Sequence, residues 1–455
     1  SIMLNNQYIW QRFPETSDYL DKCLFDLKEN NAFLYKLETR LQAHAGARLI
    51  DWVDFFVLPP SEAEPLEKLN YTYLSKTADY SLLHVADSLL PKVIVGNYNG
   101  VTHGVAIKVE RIADFQAANS CPAPVDGDPF TGFRRSLVSN ENDTGVFVVE
   151  RRIADCTEPG DCSDKGRADY MLAWEIWMSR PRRTVGDETP EQMEALIQET
   201  YNRAHRVVEL VGQPMAGDVA MNAERVYWQA RNELGRDIKH ILDQLGLGWA
   251  NHDHHTFRCS RDYFGAVIRT MQILGFFCRE KFYAGKEAGW GAQVMEHPAG
   301  FALFVDVDLN PEEVDIDFPN EPLPKIDRLG TVGMWCKLHG ESLFDAGLHH
   351  IAGLFDFELI TKKLVEADRT PMKPFSEFSY LKQFFSKGQF WPISSVRLDE
   401  LVSAGRIAKD KAQRFVSTGG LGSHIEIIER NEGFKGFNQQ NVSDIISRTD
   451  PRENI

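Results

Sequence analysis

The sequence predicts an α+β protein with paired βαβββ modules in the C-terminal half and mixed α/β structure in the N-terminal half. Two observations favour this fold class. Short runs of alternating apolar and polar residues are typical of strands, and stretches with apolar residues at helical spacing separate them. From Asn251 onwards these patterns follow the order strand, helix, strand, strand, strand, and a similar order begins again at His349.

We expect three regions along the chain. They are an N-terminal mixed α/β domain (residues 1–185), a helical connector (186–248) and a catalytic domain (249–455) of two modules (249–345 and 346–455). In the first region, a helical stretch precedes four runs with strand-like patterns, which cover residues 92–95, 102–110, 145–153 and 169–177. We expect this domain to contain degenerate modules or to serve as a non-catalytic scaffold.

The connector begins with a helix signal. Thr189 and Gln192 have the spacing of a capping box, in which each side chain bonds the backbone N–H of the other residue. Gly212 and Pro214 predict the end of this helix. A second helix is predicted over residues 220–245.

Composition narrows the classes of function. The chain has 455 residues, 43% of them hydrophobic, and its 50 basic and 66 acidic residues give a net charge of −16. An acidic chain without a Lys/Arg-rich run is poorly suited to bind nucleic acid or an anionic membrane. The sequence has no run of about 18 apolar residues, so no membrane span is predicted. The seven cysteines form no Cys-x-x-Cys motif. We therefore expect a cytoplasmic protein with a small-molecule substrate, and a homo-oligomer is compatible with these observations.

The opening strand of the first module concentrates polar residues on one face. Because side chains alternate along a strand, this face carries His252, His254, Thr256 and Arg258. In the last strand of the second module, Glu426 lies between two isoleucines, and a buried carboxylate there requires a metal or an arginine as its partner. One histidine from each module and this glutamate make two imidazoles and one carboxylate. That set is typical of non-heme Fe(II) oxygenases, where three protein ligands leave coordination positions for substrate and oxygen.

Several residues compete for these positions. Each module opens with a histidine doublet, so that His254 and His255 are alternatives in the first module and His349 and His350 in the second. Further candidates for other constellations are His297, His339, His424 and Glu429.

The opening strand of the first module resembles a known motif. It reads Asp253-His254-His255-Thr256-Phe257-Arg258-Cys259-Ser260 and is similar to the Asp-His-x-x-Phe-Arg-x-Ser strand of the vicinal oxygen chelate superfamily. Its Asp-His-x-x-x-Arg spacing also resembles the first motif of the 2-oxoadipate dioxygenase/decarboxylase (hydroxyglutarate synthase) family.

The second module resembles the catalytic module of 4-hydroxyphenylpyruvate dioxygenase. Residues 347–352, Gly-Leu-His-His-Ile-Ala, are similar to Gly-Val-Gln-His-Ile-Ala in that family. Residues 425–430, Ile-Glu-Ile-Ile-Glu-Arg, are similar to its Glu-Ile-Ile-Gln-Arg stretch and to the Ile-Glu-Phe-x-Glu-Arg motif of the 2-oxoadipate family. The resemblance covers residues 250–450, under half of the chain.

The resemblance implies an Fe(II)-dependent dioxygenase that decarboxylates and hydroxylates a 2-oxo acid, with O2 as the second substrate. The implied metal ligands are His254, His350 and Glu426. Arg258 would bind the substrate carboxylate and Gln413 would orient the substrate. The implied pocket residues are Thr256, Phe434, Phe437 and Asn438.

Other functions remain open at this point. A glyoxalase-like isomerase or lyase of the same fold would use a second carboxylate ligand, for which Asp306 and Asp308 are candidates. A non-catalytic small-molecule-binding protein is a third reading. In the N-terminal half, His103 with Glu150 or Glu175 is a further, weaker candidate metal site.

Overall fold

The computed structural model describes residues 9–182, 189–439 and 449–452. It confirms the predicted fold class, because helices pack on two sheets that each contain parallel and antiparallel strands. The α-helices are α1 (Pro14–Asn30), α2 (Ala32–Ala45), α3 (Ala63–Lys68), α4 (Ile112–Asn119), α5 (Asp164–Met178), α6 (Pro190–Gln229), α7 (Glu233–Gln244), α8 (Phe264–Ile273), α9 (Thr331–His339), α10 (Phe357–Glu366), α11 (Ser395–Ser403) and α12 (Lys409–Thr418). The strands are β1 (Val53–Leu58), β2 (Thr72–Lys76), β3 (Tyr80–His84), β4 (Lys92–Gly96), β5 (Gly104–Lys108), β6 (Phe133–Glu141), β7 (Thr144–Arg151), β8 (His252–Arg258), β9 (Phe277–Tyr283), β10 (Trp290–His297), β11 (Phe301–Asp308), β12 (His350–Leu354), β13 (Ser376–Phe378), β14 (Leu381–Phe385), β15 (Gln389–Trp391) and β16 (Gly420–Arg430).

The C-terminal sheet contains two βαβββ units. Its strands follow the order β13-β14-β16-β12-β8-β11-β10-β9, and β15 pairs with β16. In the first unit β8 runs parallel to β11, and in the second β12 runs parallel to β16. The opening strands β8 and β12 pair antiparallel at the centre of the sheet. This pairing brings the two histidine doublets to neighbouring strands.

The N-terminal sheet repeats the same plan. Its strands follow the order β2-β3-β4-β1-β5-β7-β6. Strand β1 runs parallel to β4, β5 runs parallel to β7, and the opening strands β1 and β5 pair antiparallel at the centre. Within residues 53–151, all of which the structure describes, the second unit has three strands instead of four.

The region between the two sheets is helical, and two predictions about it are wrong. Residues 169–177 belong to α5 and not to a strand, because Ala173 and Trp177 bury one helical face while a continuous apolar run conceals this period in the sequence. Thr189 and Gln192 do form the capping box that begins α6. The non-helical φ of 76° at Gly212 ends the first helical segment of α6, as predicted. A second segment runs on to Gln229, and α7 begins at Glu233, so the single helix predicted over residues 220–245 is wrong, because Asn232 caps a new helix within that range.

One hydrophobic core joins the helices to one face of each sheet. It includes Phe56, Val105 and Val148 from the N-terminal sheet and Phe257 and Ile427 from the C-terminal sheet. The opposite face of each sheet packs separately, and the predicted metal ligands His254, His350 and Glu426 lie on that face of the C-terminal sheet. Among the described helices, none combines the length and hydrophobicity that a membrane span requires.

Candidate metal centre

Three side chains from three neighbouring strands converge in the C-terminal sheet. His254 comes from β8, His350 from β12 and Glu426 from β16. Oε2 of Glu426 lies 2.8 Å from Nε2 of His254 and 3.2 Å from Nε2 of His350. All three side chains are buried, and one potential ligand atom from each lies within 4.8 Å of the other two. We call these residues the metal cluster.

The register of the strands explains this convergence. Thr256 pairs with His350 across β8 and β12, and Ala352 pairs with Glu426 across β12 and β16. Residues two apart along a strand project from the same face. His254 and His350 therefore project from the same face of the sheet as Glu426.

The members of each histidine doublet have different surroundings. His255 faces away from the metal cluster, where its Nε2 lies 3.1 Å from Nη1 of Arg225 and its Nδ1 lies 3.2 Å from a backbone carbonyl oxygen. Both ring nitrogens of His255 thus have partners outside the cluster. His349 contacts the ring of His350, with 3.1 Å between the two Nδ1 atoms.

The ionisable groups of the metal cluster shift one another's pKa values. Burial alone would lower the pKa of His254, but Glu426 and Asp253 outweigh burial and raise it to about 9. Burial would raise the pKa of Glu426, yet the two histidines hold it well below its ordinary range. The pKa of His350 is lowered, because burial outweighs the attraction of Glu426. In the absence of a metal ion, a proton on His254 therefore balances the carboxylate.

Further side chains fix the orientation of the cluster. Nδ1 of His254 donates to Asp253 at 2.8 Å, and Arg430 binds Asp253 at 2.6 Å. Nε2 of Gln383 donates to the second oxygen of Glu426 at 2.7 Å. Such partners direct the opposite nitrogen of a ligating histidine and the free oxygen of a ligating carboxylate towards a metal ion. The donor set and its support therefore fit a divalent metal.

Arg258 lies beside the metal cluster with part of its hydrogen-bonding capacity unused. Its side chain is buried, and its guanidinium carbon lies 5.8 Å from the centre of the Trp335 ring. Its Nε and Nη1 atoms have no hydrogen-bond partner in the structure. Asp306, its register neighbour on β11, also has an unpartnered oxygen, and burial raises the pKa of its carboxyl to about 7. Buried polar groups without partners are rare, and here they lie together.

A second group of histidines adjoins the metal cluster. His349, His350 and His424 also offer ring nitrogens within 4.8 Å of one another. His424 stacks on His350, with 4.8 Å between the ring centres. The Nε2 atoms of His349 and His424 are buried and have no partner. Among the described residues, this group and the metal cluster are the sets with the spacing of metal ligands.

Aromatic rings surround the metal cluster. The rings of Phe304 and Phe437 both lie 5.0 Å from the ring of His254, and Phe385 lies 5.6 Å from the ring of His350. Phe437 belongs to residues 431–439, which follow the last strand and which we call the cap segment. The predicted pocket residue Phe437 is thus next to the predicted ligands.

The other predicted pocket residues differ in position. Oγ1 of Thr256 lies 3.0 Å from Nε2 of His350, within the site. Asn438 donates to a backbone carbonyl just before β13 at 2.9 Å. Phe434 packs against Tyr380 in a separate apolar cluster, with 4.7 Å between the ring centres. The structure thus does not bring Phe434 to the predicted ligands, and Phe437 packs in a different apolar cluster.

The structure does not bring Gln413 to the cluster either. Gln413 lies on α12 with its side chain exposed, since the buried side of this helix is that of Phe415. Gln383 on β14 is the glutamine at the cluster. The sequence does carry a signal for it: Gln383 is a polar residue between Leu381 and Phe385, on the buried face of an apolar strand.

The two alternative carboxylate ligands of the first module, Asp306 and Asp308, have different surroundings. Asp308 accepts hydrogen bonds from the backbone N–H groups of Gly330, Val332 and Gly333 at 2.9–3.1 Å, and it thereby holds the start of α9. The carboxylate of Asp308 therefore has a structural role. Asp306 remains near the cluster.

The weaker candidate site in the N-terminal half is not assembled. His103 and Glu175 are both exposed. Glu150 is buried, but Arg134 and Arg152 bind its two oxygens at 3.0 and 2.7 Å.

Comparisons with known proteins add only weak likenesses. No protein-family model matches the sequence, and no curated protein matches it. Among solved structures, a protein of Shewanella frigidimarina NCIMB 400 to which hydrolase activity has been ascribed is 13% identical, with a TM-score of 0.33 over 48% of this chain and 96% of that chain. The Mn(II)-bound glyoxalase of Novosphingobium aromaticivorans is 8% identical, with a TM-score of 0.19 over 86% of both chains.

An extradiol ring-cleaving dioxygenase of B. fuscum is 11% identical, with a TM-score of 0.20 over 87% of this chain and 76% of that chain. Likenesses this weak support no statement about function. The chain's own topology and residues define a protein of paired βαβββ units with a buried cluster of two histidines and one glutamate.

Proposed function

We propose that this protein is an Fe(II)-dependent dioxygenase that decarboxylates a 2-oxo acid and hydroxylates the product. The observation that supports this proposal is the buried convergence of His254, His350 and Glu426 at the centre of the C-terminal sheet. Two histidines and one carboxylate with open positions are the donor set of non-heme Fe(II) oxygenases. We propose a small molecule and O2 as its partners.

The three ligand residues would hold the metal through Nε2 of each histidine and an oxygen of Glu426. A bound Fe(II) ion supplies coordination of a 2-oxo acid and activation of O2. In the overall reaction one oxygen atom enters the new carboxylate, the other becomes the hydroxyl oxygen, and carbon dioxide leaves. The task of the protein is to hold the substrate in place and to exclude water.

Arg258 would orient the substrate. Its buried Nε and Nη1 atoms have no partner, and each of these donors can bind a carboxylate oxygen. Phe304, Phe385 and Phe437 would exclude water from the cluster, since their rings lie 5.0–5.6 Å from the ligand histidines. A dry site strengthens each of these charged interactions.

Oxygen consumption tests the proposal. Fe(II)-loaded protein is given a panel of 2-oxo acids that includes aryl and dicarboxylic members, and O2 uptake and CO2 release are measured together. We expect equal amounts of both with at least one acid, and no turnover in Glu426→Ala. Glu429→Ala is the matched control, because Glu429 lies on the same strand but bonds the N–H of Phe357 instead. Metal binding without O2 uptake for any acid would contradict the proposal.

A second candidate function rests on Asp306. A buried carboxyl with a pKa of about 7 is suited to act as a general base near neutral pH. With it, the cluster would serve a glyoxalase-like isomerase or lyase that needs a metal but no oxygen. Turnover of a 2-oxo aldehyde adduct in the absence of O2, abolished in Asp306→Asn, would favour this function. Failure to bind any divalent metal would instead favour a non-catalytic binding protein.

A further inference from the structure

One buried arginine connects a ligand histidine to the cap segment. The side chain of Arg430 is 4% exposed. Its Nε lies 2.6 Å from Oδ1 of Asp253, and its Nη2 lies 3.2 Å from Oδ2 of the same carboxylate. Asp253 in turn accepts from Nδ1 of His254 at 2.8 Å. The guanidinium is thus two hydrogen bonds away from the metal cluster.

The same guanidinium holds the cap segment. Nη1 of Arg430 donates to the carbonyl oxygens of Phe434 at 3.0 Å and Gly436 at 2.6 Å. Its charged carbon also lies 4.8 Å from the centre of the Phe437 ring, at a distance typical of a cation–π contact. Phe437 also packs edge-to-face against His254, with 5.0 Å between the ring centres. The cap segment and the ligand histidine are joined both through Arg430 and through Phe437.

We propose that Arg430 is a positioning residue that couples metal binding at His254 to the order of the cap segment. This inference rests on the metal site of the proposed function. A metal ion on Nε2 of His254 fixes the ring, the fixed ring holds Asp253, and Asp253 holds the guanidinium that binds the cap carbonyls. Coupling between two sites is reciprocal. An ordered cap segment therefore tightens metal binding, and a bound metal orders the cap segment.

The chemistry of arginine suits this role and that of lysine does not. A guanidinium offers five N–H donors in a fixed plane, so one side can bind a carboxylate while the other binds two carbonyl oxygens. A lysine keeps the positive charge but has a single nitrogen, which cannot reach both sets of acceptors together. Arg430→Lys therefore preserves charge and removes the link.

A matched control is available at the other end of the cap segment. Arg48 donates to the carbonyl oxygen of Arg430 at 2.9 Å and to the side chain of Asn431 at 2.6 Å. It anchors the start of the cap segment, and its other partners are Asp51 and Glu429 rather than Asp253. Arg48→Lys should loosen the segment locally without changing the link to the ligand histidine.

The test uses Mn(II) as the probe and two readouts that do not depend on turnover. Metal affinity is measured by competition with a chelator, and hydrogen exchange of peptides from residues 431–439 is measured with and without Mn(II). In the unmodified protein we expect Mn(II) to slow exchange in the cap segment. In Arg430→Lys we expect affinity to fall about tenfold or more, as is usual for partners of metal ligands, and the metal-dependent protection to disappear. Arg48→Lys should keep the metal-dependent protection, because Arg430 still binds both Asp253 and the cap carbonyls, and the metal affinity of this variant should fall by much less than in Arg430→Lys.

A second variant breaks the link from its other end. Asp253→Asn keeps the shape of the side chain and removes its charge, so we expect weaker Mn(II) binding and the same loss of metal-dependent protection. Unchanged metal affinity and protection in a folded Arg430→Lys or Asp253→Asn protein would overturn the inference alone. Absence of Mn(II) binding by the unmodified protein would overturn both the inference and the proposed function.

Discussion

The two sheets of this protein have the same plan and different contents on one face. In each sheet, the opening strands of two consecutive units pair at the centre, and helices cover one face with apolar side chains. On the opposite face of the N-terminal sheet, Tyr98 contacts the rings of Phe55, Tyr80 and Phe147 at 5.2–5.3 Å. On the corresponding face of the C-terminal sheet lie the metal cluster and Arg258.

The difference shows how the same backbone can serve stability or chemistry. Edge-to-face aromatic pairs each contribute roughly 0.5–1.5 kcal/mol beyond the burial of their area. Buried ionic groups have a large desolvation cost, which their partners offset only in part. The unpartnered polar atoms of Arg258, Asp306, His349 and His424 all lie on the C-terminal side of this comparison. We infer that the N-terminal sheet stabilises the molecule while the C-terminal sheet carries its function.

The largest effect is expected from removing a ligand. His254→Ala should weaken Mn(II) or Fe(II) binding by at least about 1,000-fold, equivalent to about 4 kcal/mol, because one of three donors is lost. Chelator competition measures this change. His103→Ala is the N-terminal control and should leave metal affinity unchanged, since His103 is exposed on the other sheet. A comparable loss of metal affinity in both variants would contradict the assignment of metal binding to the C-terminal sheet.

The opposite result is expected from the aromatic face. Phe147 is fully buried between Tyr98 and the strands of the N-terminal sheet. Phe147→Ala should lower the free energy of unfolding by about 3–4 kcal/mol, the usual cost of removing a buried phenylalanine. Chemical denaturation measures the loss, and metal affinity of the folded variant should not change. A folded variant that no longer binds metal would show that the two faces are coupled.

Asp306 tests whether the polar face reduces stability. Burial raises the pKa of its carboxyl from 3.8 to about 7. A carboxyl with a higher pKa in the folded state favours folding only while it is protonated. Its unfavourable contribution is therefore absent below pH 4, grows between pH 4 and 7, and is complete above pH 7. Asp306→Asn, which is neutral throughout, should stabilise the metal-free protein by on the order of 2 kcal/mol at pH 8 and by less at pH 5.

Denaturation curves at the two pH values measure this difference. The control is Asp308→Asn, two residues further along β11, which should destabilise the protein at both values because it weakens three backbone hydrogen bonds. Equal destabilisation by Asp306→Asn at pH 5 and pH 8 would contradict the prediction.

The sequence allowed the C-terminal half to be predicted better than the N-terminal half. The polar strand β8 and the carboxylate of Glu426 within an apolar strand stand out there, and a period of two then identifies the face on which each functional side chain lies. The N-terminal strands carry no comparable set, since the largely buried Asp54 of β1 is paired with Arg151 and β2 is wholly exposed. The sequence therefore predicts only degenerate modules or a scaffold in this half, without the pairing of their strands. The sequence predicts a strand over residues 169–177, within α5, because the apolar run there hides the helical period.

Contacts between distant segments could not be predicted in the same way. The link from Asp253 to Arg430 joins two residues of opposite charge that are 177 positions apart. Nothing in the local pattern of either strand indicates the partner. The contact between Gln383 and Glu426 likewise depends on the pairing of β14 with β16, in which Gln383 lies opposite Ile428 and reaches Glu426 diagonally.

The smallest effect is expected at Gln383, and it can be compared with the effect of changing Gln413. Gln383 donates to Glu426 at 2.7 Å, and Gln383→Met should weaken metal binding by about tenfold, because the carboxylate loses the donor that fixes its free oxygen. Gln413→Ala should leave metal affinity and turnover unchanged, since this side chain is exposed on α12. Metal titration of both variants, with thermal unfolding to confirm that they are folded, measures the difference. Loss of function in Gln413→Ala with none in Gln383→Met would restore the substrate-orienting role to α12 and place the functional site closer to that helix.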